Sequence, residues 1–574
     1  MKLKQTVLLS VFLVSACSFT ENASNEEAAL PQADTESGQM MPAPMPLMQK
    51  STADRRTLPP PSRIRSAEPP LPAKMEVFEL AASAADPYYG GVEPNREKYG
   101  KIDDNPVKRV AEEPVSTFSI DVDTGSYANV RRMLNQGQMP PRDAVRVEEM
   151  VNYFPYRYAL PTDGKPFAVH TALAPAPWNT EKSLMRIAIK GQDIAKQSLP
   201  PANLVFLVDV SGSMDSPDKL PLLQSSLNLL VSQLRKQDRV SLVTYAGATS
   251  VVLSGTSGEN KEKIRNAIKR LTAGGSTAGA SGIELAYQQA REHFIEGGIN
   301  RILLATDGDF NVGVTNFDKL KEMIEEKRKS GVSFTTLGFG TGNYNEQLME
   351  QLADAGNGAY SYIDSLMEGK KVLVNEMTST LATIAKDVKI QVEFNPAAVS
   401  EYRLIGYENR MLKREDFNND KIDAGEIGAG HTVTALYELT LAGKKGALEP
   451  LRYQKNTANV PGATGNELAF VKLRYKQPDG DSSTLMEIPV FRSALKSVNE
   501  GDSDFRLATA VAGFGQLLRG KADLGSWGYQ DARTLAASFT AGEDEFGYRA
   551  ELVKLIDLAD ALAAGQGRPK ASGK

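Results

Sequence analysis

Cysteine is nearly absent from this chain: Cys17 is the single one in 574 residues. A disulfide framework is therefore excluded, and so is a metal knuckle built on paired cysteines. One thiol leaves three roles open: a small buried hydrophobe, a nucleophile or a modified residue. Histidine is scarce as well. His170, His293 and His431 stand too far apart in sequence to read as a zinc cluster. Neither sign of charge dominates, with 66 Lys and Arg against 71 Asp and Glu and a formal charge of −5. That balance leaves no basic footprint, so nucleic acid is not an expected partner. What remains is ordinary globular composition, 41% hydrophobic and 24% charged in 62.2 kDa. It supports several buried cores and roughly three or four domains.

The position of Cys17 narrows its role. The chain opens with Lys2 and Lys4, continues with an apolar run from Val7 to Val14 broken by Ser10, and reaches Ser15, Ala16 and Cys17. A charged start, a short apolar run and small residues describe a secretory signal peptide. The run is too short to span a bilayer. A buried N-terminal strand or helix is the alternative, but the next fifty residues carry no apolar periodicity. Val14-Ser15-Ala16-Cys17 resembles a bacterial lipobox, which implies cleavage before Cys17 and lipid attachment to it. Ser18 rather than Asp in the next position implies sorting to the outer membrane, with the protein facing the periplasm. Ten of the 31 prolines then fall between Pro31 and Pro72. Such a segment buries too little to offset ordering entropy and is expected to be an extended tether. Met40, Met41, Met45 and Met48 within it read as low-complexity sequence rather than a soft-metal site.

The central third carries the chemistry. Asn203 to Val208 is a continuous apolar run, as in a strand buried on both faces of a parallel sheet. It runs into Asp209-Val210-Ser211-Gly212-Ser213, and a helix follows with Leu223, Leu227 and Leu230 on one face. Ligands bind in such loops, at the carboxyl ends of strands in open α/β sheets. Oxygens at Asp209, Ser211 and Ser213 suit a hard cation that wants near-octahedral oxygen ligands. Two later loops add to them: Gly274-Gly275-Ser276-Thr277, and Thr306-Asp307-Gly308 after the apolar run Ile302–Ala305.

This set resembles the metal-ion-dependent adhesion site of the von Willebrand factor A domain, whose pattern is D-x-S-x-S, a later threonine, then T-D-G. The resemblance implies a metal site made by Asp209, Ser211, Ser213, Thr277 and Asp307. The expected cofactor is Mg2+, with Mn2+ or Ca2+ as alternatives. One coordination position is expected to stay open for an Asp or Glu presented by a protein partner. It also implies a doubly wound, mostly parallel α/β sheet over 196–385, closed by a helix from Ser365 to Ile384 that slides in some family members.

Upstream, Asp121-Val122-Asp123-Thr124-Gly125-Ser126 contains the signature of an aspartic protease. That enzyme needs two such loops sharing a proton, and a second is absent. The segment more closely resembles the region that precedes the A domain in one group of bacterial lipoproteins. There the two aspartates are expected to be structural, capping the helix that starts near Ser126. Alternating segments at Phe167–Leu173, Leu184–Lys190, Val388–Phe394, Thr432–Leu441, Glu467–Tyr475 and Thr484–Val490 read as half-buried strands. Strands on both sides of an inserted α/β domain predict one β-sandwich split by it. Asp416-Phe417-Asn418-Asn419-Asp420 lacks the glycine and bidentate glutamate of a calcium loop and reads as a polar turn. Amphipathic helices at 504–519 and 548–562 close a region that resembles a C-terminal domain of unknown function found with the same A domain. The expected layout is a signal peptide over 1–16, a tether over 17–75, an N-terminal region over 76–195, the A domain over 196–385 and a β-rich domain over 386–574. The function this implies is a non-enzymatic, cation-dependent protein-binding module on the envelope. A structural lipoprotein with a purely stabilising metal, or an aspartic-type protease, are the alternatives.

Overall fold

The computed structural model describes residues 96–120, 123–275, 279–309, 317–422, 424–449, 466–498 and 502–565. The expected signal peptide, Cys17 and tether, and also Asp121 and Thr277, lie outside the described residues.

The apolar run around Phe206 forms the strand Ala202–Asp209, with all eight residues buried. It sits at the centre of a six-stranded sheet. Ile299–Thr306, Ser333–Phe339 and Tyr360–Ile363 lie in succession on one side and Arg239–Tyr245 on the other, all parallel. Thr249–Ser257 closes the far edge as an antiparallel hairpin partner. Side chains alternate between the faces. Leu204, Phe206 and Val208 meet Leu223, Leu227 and Ile268, whereas Val205 and Leu207 meet Ile283, Tyr287 and Ile324. Helices on both faces make this the doubly wound α/β fold.

The closing helix differs from its expectation. Instead of one helix over 365–384, the chain makes a helix over Leu366–Lys370, a π-turn over Lys371–Asn375 and a helix over Met377–Leu381. By Thr383 it is already a strand. The wider turn falls where Val372 and Leu373 pack into the sheet's core while Lys371 reaches Glu376 at 2.8 Å and lies over the Tyr153 ring. One regular helix would not point both sets correctly.

The frame around this domain is a β-sandwich. Asn179–Gly191 pairs antiparallel with Thr432–Leu441, so segments on either side of the α/β domain share one sheet. The second sheet does the same, with Val115–Ser119 paired to Thr383–Phe394. Ile187, Val433 and Tyr437 from one sheet interleave with Ile390, Val471 and Leu473 from the other. Thr432–Leu441 was expected to be half-buried, yet all ten residues are buried. Its outer face is covered by helices, with Leu184, Ala188 and Leu436 packing on Val511, Phe514 and Leu552. Those helices, Gly125–Asn135, Val147–Asn152, Ser503–Leu518 and Tyr548–Gly565, come from both ends of the described chain.

Buried ion pairs join the frame to the α/β domain. Arg146 meets Glu346 at 2.7 Å and Glu350 at 3.0 Å, and Arg131 meets Glu368 at 2.7 Å. Asp123, expected to cap a helix, does not. Its Oδ1 accepts the Tyr360 N–H at 2.7 Å and its Oδ2 pairs with Arg410 at 2.9 Å. The helix amide at Ser126 is instead received by Glu149 Oε2 at 2.8 Å. The loop thus ties the N-terminal region to the edge strand Tyr360–Ile363.

Candidate metal centre

Three neighbouring strands end side by side, and their last residues begin the site. Asp209 ends its strand opposite Tyr245, and Thr306 ends the strand on the other side. Asp209 is fully buried. Its Oδ2 accepts the Thr306 hydroxyl at 2.9 Å and the Tyr245 hydroxyl at 3.3 Å, and its Oδ1 accepts the Ser211 N–H at 2.9 Å. The chain then turns sharply, bringing Ser211 Oγ within 3.0 Å of Ser213 Oγ. The Gly274–Gly275 turn is stitched to this loop. Gly274 N–H donates to the Val210 carbonyl at 2.7 Å, and Gly212 N–H donates to that of Gly275 at 3.0 Å. Gly275, at φ +86°, occupies the left-handed region that favours glycine.

Asp307 completes the described part of the centre and is also fully buried. Its Oδ1 accepts the Asp309 N–H at 3.1 Å. Its Oδ2 receives Lys219 Nζ at 2.9 Å and Asn343 Nδ2 at 3.0 Å. Gly340, at φ +79°, leaves the room that the Lys219 stem fills, since a Cβ there would collide with it. The structure therefore brings Asp209, Ser211, Ser213 and Asp307 together. Tyr245, Lys219 and Asn343 join them, and the motif pattern gave no sign of these three, which come from outside the motif loops.

The two carboxyls are held differently. Burial pushes the Asp209 carboxyl up to about 6, with the charge of Asp307 adding to it against the hydrogen bonds from Ser211 and Thr306. Burial also works to raise Asp307, but the Lys219 ammonium and the Asn343 amide outweigh it and hold that carboxyl below its ordinary value. Two buried carboxyls beside two convergent hydroxyls form a site short of positive charge. The donor set is all oxygen. It fits a small hard cation better than a soft one.

The protein of Escherichia coli strain K12 called Uncharacterized protein YfbK is 52% identical over 476 residues, which span 82% of each chain. This chain belongs to the YfbK family. The family's C-terminal domain matches residues 379–562, the von Willebrand factor type A domain matches 203–375, and a further von Willebrand factor family matches 93–186. Human inter-alpha-trypsin inhibitor heavy chain H3 is 25% identical over 285 residues, 45% of this chain and 31% of that one. Among solved structures, the von Willebrand factor type A protein from Catenulispora acidiphila aligns with TM-score 0.38 at 15% identity, over 71% of this chain and 89% of that one. A-type domains are typically protein-interaction modules.

Proposed function

We propose that this protein is a divalent-cation-dependent protein-binding module of the bacterial envelope. Asp209, Ser211, Ser213 and Asp307, with Thr277, would hold Mg2+, or Mn2+ or Ca2+ in its place. Bound there, the cation supplies a Lewis-acidic position for an Asp or Glu side chain of a protein partner. Cys17, lipid-modified, would hold the protein on the outer membrane, facing the periplasm. The observation that carries the reading is the convergence of two buried carboxyls and two hydroxyls at the carboxyl edge of the parallel sheet. Ligand sites of open α/β folds belong at that edge.

Calorimetric titration of Mg2+ and capture of envelope proteins test this reading together. Mg2+ should bind one site, and both binding and capture should be lost with chelator and in Asp209→Ala. A second reading, a metal that only stabilises the fold, is favoured by Lys219, whose ammonium already balances Asp307. In that case capture persists in Asp209→Ala while thermal stability falls.

A further inference from the structure

At the foot of the α/β sheet, at the opposite end of the strands from the metal centre, lies a cavity of about 300 Å³. Arg301, Asn357 and Gly358 line it from the α/β domain, and Ile120 and Glu426 line it from the sandwich. Arg301 stands near the start of Ile299–Thr306 and is 4% exposed. A guanidinium has five N–H donors. Nη1 of this one donates to Thr335 Oγ1 at 2.7 Å, and Nε is buried without a partner. The other arginine of the cavity, Arg410, is already paired with Asp123, Glu350 and Asp354. Among the described residues no carboxylate forms an ion pair with Arg301. Glu426 acts on it from longer range and accepts the Thr383 hydroxyl at 3.1 Å.

A buried guanidinium without a close counter-ion is costly, and burial duly lowers its pKa. Planar, bidentate recognition of a carboxylate is what its fork is shaped for. We propose that this cavity binds a small carboxylate anion on the Arg301 guanidinium. Glu426 disfavours a second negative charge, so the fitting class is a monocarboxylate. Arg301 and Asp307 are separated by most of a strand, about 20 Å at 3.3 Å per residue. The proposal therefore stands apart from the reading of the metal centre.

Acetate, lactate and benzoate titrated into the full chain test it, followed by calorimetry and thermal unfolding against sodium chloride at equal ionic strength. At least one should bind saturably and raise the unfolding midpoint, and Arg301→Met should weaken it tenfold or more. The proposal is overturned if none of the three saturates, or if Arg301→Met binds as the wild type does. Should Arg301→Met not fold, Glu426→Gln decides. At least threefold tighter binding is expected, and unchanged or weaker binding overturns the proposal.

Discussion

Lys219 Nζ lies 2.9 Å from Asp307 Oδ2, and both side chains are buried. A tethered ammonium thus occupies the neighbourhood of the proposed cation site. Removing it has two expected consequences. Without metal, Lys219→Met leaves Asp307 buried and uncompensated, which should cost about 3 kcal/mol in denaturant unfolding. With the competing charge gone, Mg2+ should bind on the order of tenfold tighter by calorimetry. Added MgCl2 should then restore much of the lost stability.

Asp123 is held by the Tyr360 amide and the Arg410 guanidinium. Asp123→Ala should therefore destabilise the protein by about 1–2 kcal/mol, because the Tyr360 amide loses its acceptor and the partly buried Arg410 keeps only Glu350 and Asp354. Denaturant unfolding measures this. Peptide hydrolysis by the wild type that disappears in Asp123→Ala would instead revive the protease alternative.

The fragment 386–574 should not fold alone. Thr432–Leu441 would lose Asn179–Gly191, and Thr383–Phe394 would lose Val115–Ser119 and its own first residues. Two unpaired inner edges and an uncovered apolar face cannot form a stable domain. Circular dichroism and amide proton dispersion should show a disordered or aggregated chain.

His431 titrates low, at about 4, because burial and the nearby charges of Lys371 and Lys190 disfavour its imidazolium. Its unfolded value is about 6.5. Between these pH values the unfolded state binds more protons than the folded one, so stability falls as pH falls. His431→Gln should flatten that slope in urea unfolding followed from pH 7 to pH 4, by on the order of 2 kcal/mol across the range.

Much of this was legible from residue patterns. The run around Phe206 reads as a strand buried on both faces, which places its Asp209 loop at the carboxyl edge of a sheet. The strands split by the α/β domain showed in their alternation. Other features were hidden because they depend on distant segments. Thr432–Leu441 looks half-buried, but helices from both ends of the described chain cover its outer face. Lys219 precedes an apolar helix like any solvated lysine, and nothing local reveals that it turns inward to Asp307. The break in the last helix comes just after Gly369, where Lys371 turns to Glu376 and the Tyr153 ring, and that ring lies far away in sequence. Arg301 stands within an apolar run, and only the tertiary structure shows that it lines a cavity and that no carboxylate among the described residues forms an ion pair with it.

Calorimetric titration of Mg2+ into the full chain, beside Asp209→Ala, tests the central claim most directly. The account predicts a single saturable site in the wild type and none in the variant. Heats from the wild type that match those of Asp209→Ala would contradict it.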